Sequence, residues 1–389
     1  MKNELGQYYT ENSISKLLVS QLSSKSPEKV LELGVGDGSL FRAAFDRWNS
    51  FEFYGGDIDK NNVRYLGSEF PNTNIYVING LSSRLNKKLK IEIGTIDVAI
   101  CNPPYSHVKK EVRLGKLLEK INLGNIENYK RISSDLIFLA QNLSFLRLGG
   151  ELGIIVPDSI ITSDEYSYFR KKLIENHNVR SVIQLPDNIF RKTEARTYIL
   201  IIKKGGETKT NVPLYLSDHE GKLIEKVCCS KKQFVKRVDF LYNKWNQTND
   251  QVFGVSLRQI DVNIIRGKHS KKSLKQRNIP FVHTSDLIND KIKLPKLADL
   301  SDKAVKKGDI LISRVGKRCL GRVSIVESGQ VEISDCVFRI RVDEAHHSAV
   351  YSALNSTRWA EWVIANSKGV CARIITKKDL LDFRIKLNI

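Results

Sequence analysis

A chain of 389 residues is long enough for two domains with a sizeable core. It carries 63 Lys and Arg against 43 Asp and Glu, a formal net charge of +20, which points to a polyanionic partner. Its six cysteines show no CxxC spacing, there is no signal peptide, and no apolar run has membrane length. No zinc site, disulfide framework or membrane span is therefore legible, and a reducing cytoplasm (or nucleoid) is the expected compartment.

In the first 204 residues, short apolar or β-branched runs bounded by turn residues predict strands at 29–33, 51–55, 74–78, 95–101, 151–156, 179–185 and 196–204. Helices are predicted between them, at 39–48 after a Gly-rich turn, at 134–148 with a stop at Gly149-Gly150, and at 163–177. Seven strands alternating with helices imply an α/β fold, a doubly wound and mostly parallel sheet covered on both faces.

The first of these strands runs into Glu32-Leu-Gly34-Val-Gly36-Asp-Gly38, which opens a helix. Glycines there let the backbone turn tightly and approach a ligand. Ser39 stands where a dinucleotide fingerprint would need its third Gly, so the spacing is GxGxG. Asp57 ends the next strand, about twenty residues on, at the distance that suits ribose hydroxyls. Glu32 before the turn and Asp57 after it favour a nucleoside over a purely structural turn.

Asn102-Pro103-Pro104-Tyr105 comes directly after the strand at 95–101. A rigid Pro-Pro step after a buried strand holds an amide and an aromatic ring at a pocket edge, which suits gripping a planar amino group while the ring stacks on it. The alternative is an ordinary strand-ending turn. The next stretch, 106–133, is long and basic, either a loop contacting a nucleic-acid strand or a solvated surface.

Lys203-Lys-Gly-Gly-Glu-Thr-Lys209 marks a boundary. Residues 205–250 are expected to form a linker or a helical extension, and 251–389 a separate α+β domain. Charge respects this division: residues 1–204 are net +6 and residues 205–389 net +14, so the C-terminal half is the better candidate for nucleic-acid contact. Residues 244–323 alone hold 18 basic and 7 acidic side chains. Candidate contacts are Lys268, Lys271, Lys272, Lys275, Arg277, Arg314, Lys317 and Arg318, any one of which is better read as a phosphate contact or a solvated charge than as a base reader.

The ordered set Gly6-Gln-Tyr-Tyr-Thr10, Glu32 to Gly38, Asp57 and Asn102 to Tyr105 resembles the adenine-N6 DNA methyltransferases. The arrangement is similar to their gamma class, with a catalytic domain like the modification subunits of type I restriction systems. The segments 279–287 and 307–316 resemble a target-recognition domain of type I specificity subunits. The resemblance implies a methyltransferase domain at 1–204, a DNA target-recognition domain at 251–389 and S-adenosylmethionine as methyl donor. It implies methylation at N6 of an adenine flipped out of double-stranded DNA, in a restriction-modification or related defence setting with any nuclease encoded separately. Gln7, Tyr9, Thr10, Glu32, Gly34, Gly36, Asp57 and Asn102 would match cofactor-binding positions. The family's Asp after the third strand is absent, and Asn79 or Ser82 is its expected substitute. Asn102, Pro103, Pro104 and Tyr105 would be catalytic, with Tyr105 stacking on the target base and Phe190 either a second stacking ring or an ordinary core side chain. A single recognition domain suits a monomer. Two alternatives remain at this level: a methyltransferase acting on RNA or protein glutamine, and a DNA-binding subunit with a degenerate cofactor site.

Overall fold

In the computed structural model, residues 10–190, 196–249, 254–296, 304–316, 318–369 and 372–387 are described. They divide into two units, Met1–Asn243 and Lys244–Ile389. The strands of the first unit are β1 (Lys29–Leu33), β2 (Glu52–Asp57), β3 (Asn74–Val77), β4 (Ile96–Cys101), β5 (His107–Val108), β6 (Ile132–Ser133), β7 (Leu146–Pro157), β8 (Asn178–Gln184), β9 (Thr197–Lys203), β10 (Val212–Ser217) and β11 (Leu223–Cys229). β5 and β6 pair with each other. The other nine form one sheet in the order β11-β10-β8-β9-β7-β4-β1-β2-β3. Its centre is parallel, and β9 runs against both β7 and β8.

Strand periodicity explains why both faces are covered. On β9, Tyr198, Leu200 and Ile202 enter one apolar cluster while Ile199 and Ile201 enter another. Ala99 and Cys101 of β4 join the first set, Val98 and Ile100 the second. Successive side chains leave a strand on opposite sides, so a strand apolar at every position needs helices above and below it. The helices Asn12–Ser20 and Ser39–Arg47 cover one face. The helices Ser134–Phe145 and Ser167–Asn176 cover the other. The helix Ser134–Phe145 is buried at all twelve positions, because Leu114, Leu118 and Ile121 of the segment after β4 join the same cluster.

The sequence reading differs from the structure in three places. The helix expected to run to residue 148 ends at Phe145, and Leu146 is already extended and paired with Ile96. The sheet has nine strands rather than seven. The extra two, β10 and β11, lie in the segment expected to be a linker or extension. β10 pairs in parallel with β8, and β11 pairs antiparallel with β10. The segment after β11 is fastened by Arg170, which is 1% exposed and donates to the carbonyls of Ile160, Ser163, Phe234, Val235 and Lys236. A buried guanidinium satisfied by five carbonyls would be costly to orphan.

The second unit is α+β. Asn263–Arg266, Val337–Arg341, Ile310–Ser313, Val323–Gln330 and Lys291–Lys296 form a sheet in that order. The helices Glu344–Leu354 and Thr357–Asn366 contribute to its core, where Trp359 and Trp362 stack with centroids 5.1 Å apart and both meet Phe383 edge-on. Among the described residues no helix is long and apolar enough to cross a membrane.

Candidate active site

Because β1, β2, β3 and β4 are parallel, the segments leaving their carboxyl ends meet along one edge of the sheet. Gly34 to Gly38 leave β1, Asp57 closes β2, Asn79 and Gly80 come after β3, and Asn102 to Tyr105 after β4. All the sequence-predicted residues of the first unit that are described, except Phe190, lie on this edge or reach it.

At β4 the last strand residue, Cys101, is buried and its thiol donates to the Leu33 carbonyl at 3.1 Å, locking the end of β4 against the end of β1. Asn102 then turns out of the strand. Its Nδ2 donates to the Thr10 hydroxyl at 3.0 Å, and its Oδ1 accepts from the Tyr105 hydroxyl at 3.3 Å. Committing the nitrogen to Thr10 fixes which way the amide faces, so its carbonyl is presented on the Tyr105 side. Pro103 is buried and Tyr105 half-buried. The Pro104 carbonyl accepts from the Ser134 hydroxyl, which itself accepts from the Ser106 amide at 2.8 Å. No local motif in the sequence marks Ser134.

The loop after β1 takes its shape from glycines. Gly34, Gly36 and Gly38 have φ of 80°, 53° and 83°, the left-handed region that other residues enter at a cost. Both oxygens of Asp57 hold neighbouring backbone: Oδ2 accepts from Gly36 at 2.8 Å and Oδ1 from Asp59 at 2.8 Å. The carboxylate thus braces the Gly-rich loop while keeping lone pairs on each oxygen for hydroxyl donors. Ile58, next in sequence, leaves a large apolar side chain 49% exposed. That exposure is the signal sequence reasoning lacked.

Glu32 is 1% exposed, and its Oε2 has no hydrogen-bond partner among the described residues. Burial, then the nearby Asp37 and Asp57, push its carboxyl well above the usual range. A buried carboxylate with an orphaned oxygen suits a cationic ligand. Glu32, Asp57 and the strained glycines therefore fit a nucleoside that carries positive charge. Asn79 fits less well: it is exposed, and its Oδ1 already accepts from the Leu81 amide at 2.9 Å.

Other predicted residues fall elsewhere. Phe190 is 3% exposed and packs with Leu185 and Ile189 in the core rather than at a pocket mouth. Gln7, Tyr9 and Lys317 lie outside the described residues. In the second unit Lys268, Lys271, Lys272, Lys275, Arg277 and Arg318 are exposed. Arg314 is not: it is 8% exposed, donates to the Asp335 carbonyl at 2.9 Å and lies over the Phe338 ring. Burial makes it less accessible to a nucleic-acid backbone than the six exposed residues.

Comparison with known proteins places the chain among DNA-modifying relatives. The chain is 24% identical over 315 residues to the type I restriction enzyme MpnII methylase subunit of Mycoplasma pneumoniae, covering 74% of this chain and 58% of that one. It is 26% identical over 240 residues to the type II methyltransferase M.BsuBI of Bacillus subtilis, covering 56% and 47%. The chain thus spans about half the length of the curated relatives it matches. Among solved structures, the type IIG restriction endonuclease BpuSI shares the fold with a TM-score of 0.54 at 13% identity, covering 100% of this chain and 59% of that one. Residues 1–265 match the model of the N-6 DNA Methylase family, and the chain belongs to that family.

Proposed function

We propose that the chain is a site-specific DNA methyltransferase that methylates adenine at N6, with its second unit as the target-recognition domain, in a restriction-modification or related defence system. The observation that carries this is the Asn102 side chain. Its nitrogen is committed to Thr10 and its carbonyl turned toward Tyr105, on the sheet edge that also holds Glu32 and Asp57.

S-adenosylmethionine, when bound, supplies an electrophilic methyl group on a sulfonium. The Asp57 oxygens have capacity for its ribose hydroxyls, Ile58 offers apolar cover to a purine, and the orphaned Glu32 oxygen suits its positive charge. The adenine amino nitrogen is a poor nucleophile because its lone pair is delocalised into the ring. Asn102 Oδ1 and the Pro103 carbonyl can each accept one of its hydrogens, drawing the nitrogen toward tetrahedral geometry. No strong base is needed, since the proton becomes acidic once the nitrogen is alkylated. Most of the rate comes from positioning. The Tyr105 ring stacks on a base that has left the duplex.

Tritium transfer from labelled S-adenosylmethionine into DNA from a host lacking adenine methylation tests the reading. Wild-type chain labels the DNA, and Asn102→Ala abolishes labelling. Full activity in Asn102→Ala, or label entering RNA or protein but not DNA, would refute it.

A further inference from the structure

Ser134 is fully buried and begins the helix Ser134–Phe145, yet three hydrogen bonds tie it to the turn that carries Tyr105. Its hydroxyl donates to the Pro104 carbonyl and accepts from the Ser106 amide at 2.8 Å. Its own amide donates to the Ser106 carbonyl at 2.9 Å. The residues on either side of Tyr105 are therefore both held by one side chain. A serine hydroxyl has one proton to give, and giving it to Pro104 fixes the orientation of the peptide plane that leads into Tyr105.

The same helix reaches the other half of the site. Phe138 lies one turn on, at i+4, and so on the same face. Its ring packs beneath the cofactor-side loops. A methyl group added at Gly34 would sit 3.6 Å from the Phe138 ring, and one added at Gly80 would overlap that ring. One helical face thus touches the turn after β4 through Ser134 and the loops after β1 and β3 through Phe138. The helix start is fastened in turn. The Tyr166 hydroxyl donates to Ser133 Oγ at 2.9 Å, and β5 pairs with β6 directly before Ser134, with His107 opposite Ser133. A rigid element with two such contacts sets the distance between the turn that presents the base and the loops that cradle the donor.

We propose that Ser134 is a positioning residue for methyl transfer: by clamping Pro104 and Ser106 it fixes the Tyr105 turn at the spacing from the donor that in-line attack requires. This rests on the methyltransferase reading above. Ser134 touches neither reactant, so its removal acts on rate rather than on affinity. Misplacing reacting groups by an ångström costs about a hundredfold.

The test compares wild type, Ser134→Ala and Ser134→Thr in the full chain. Three quantities are measured: the single-turnover rate of tritium transfer from S-adenosylmethionine to undermethylated DNA, the calorimetric Kd for S-adenosylmethionine, and the melting temperature. The expected result for Ser134→Ala is a rate about a hundredfold lower, with the donor Kd within about twofold of wild type. Ser134→Thr, which keeps the hydroxyl, recovers most of the rate. Ser134→Ala transferring at the wild-type rate overturns the proposal. So does a loss of donor binding that parallels the loss of rate in both variants, since that is the mark of a merely structural role. If Ser134→Ala does not fold, Ser134→Thr decides: wild-type rate supports the clamp, and a slow but folded, donor-binding protein overturns it. A wild-type chain that labels no DNA takes down the functional reading itself, an outcome distinct from an active wild type whose Ser134 variants are equally active.

Discussion

Asn102 Nδ2 donates to Thr10 Oγ1 at 3.0 Å across 92 residues of chain. This bond chooses between the two faces the Asn102 amide could present. Thr10→Val keeps the shape and removes the acceptor. The amide then loses its preferred orientation, and methyl transfer falls about tenfold, the worth of one neutral hydrogen bond. Single-turnover assays beside DNA-binding titrations check it: affinity for DNA stays unchanged.

Glu32 makes donor binding depend on pH. Its carboxyl is held well above the carboxylate range by burial and then by Asp37 and Asp57. A raised value means that the unliganded protein holds a proton there at pH values where a free glutamate has lost it. A cationic ligand binds the ionised form and expels that proton. Affinity for S-adenosylmethionine therefore rises with pH until the raised value is passed, by about tenfold per unit below it. Glu32→Gln flattens this dependence and weakens binding about tenfold or more, as expected when a buried cation loses its opposite charge. Calorimetry in buffers of different ionisation enthalpy measures the released proton directly.

Asp135 affects folding. It is 1% exposed, its Oδ2 has no hydrogen-bond partner among the described residues, and burial raises its carboxyl to about 6. The native state thus binds a proton more readily than the unfolded chain, whose aspartates titrate near ~3.9. Stability from this group is full below the unfolded value and is lost as pH rises through about 6. Asp135→Asn is neutral at every pH. It should stabilise the chain by roughly 2–3 kcal/mol at pH 8 and by little at pH 4, an effect that urea melts at the two pH values resolve.

The second unit separates two kinds of basic residue. Lys271, Lys272 and Lys275 are exposed, whereas Arg314 is buried against Phe338 and the Asp335 carbonyl. Replacing the three lysines with alanine should weaken DNA binding and lower the log–log salt slope by about 0.9 for each phosphate no longer neutralised. Melting should stay unchanged. Arg314→Met should do the reverse, lowering the melting temperature and leaving the slope intact in the folded fraction. Binding isotherms across a salt series, beside thermal melts, separate the two.

The features legible in the sequence are the local ones. The Asn-Pro-Pro-Tyr turn is contiguous, and its place after β4 is set by a single apolar run. Asp57 lies at the end of a strand recognisable by composition. The Thr10–Asn102 bond joins distant segments, so only the fold reveals it. β10 and β11 escaped notice because they form an edge ribbon: Leu223–Cys229 is mostly exposed, and Glu225 and Lys226 interrupt its apolar run. Phe190 matched a family position yet lies in the core, because Leu185 and Ile189 beside it pull the segment inward. Arg314 shows that charge alone does not say whether a guanidinium meets solvent or a carbonyl.

β5 and β6 close the base of an excursion whose inner side chains, Leu114, Leu118 and Ile121, are anchored in the core, while Lys110, Lys116 and Glu119 face outward. The ladder insulates the turn from what happens further out along that excursion. Its outer surface is therefore a replaceable cassette: those solvent-facing residues can be exchanged without resetting the turn underneath.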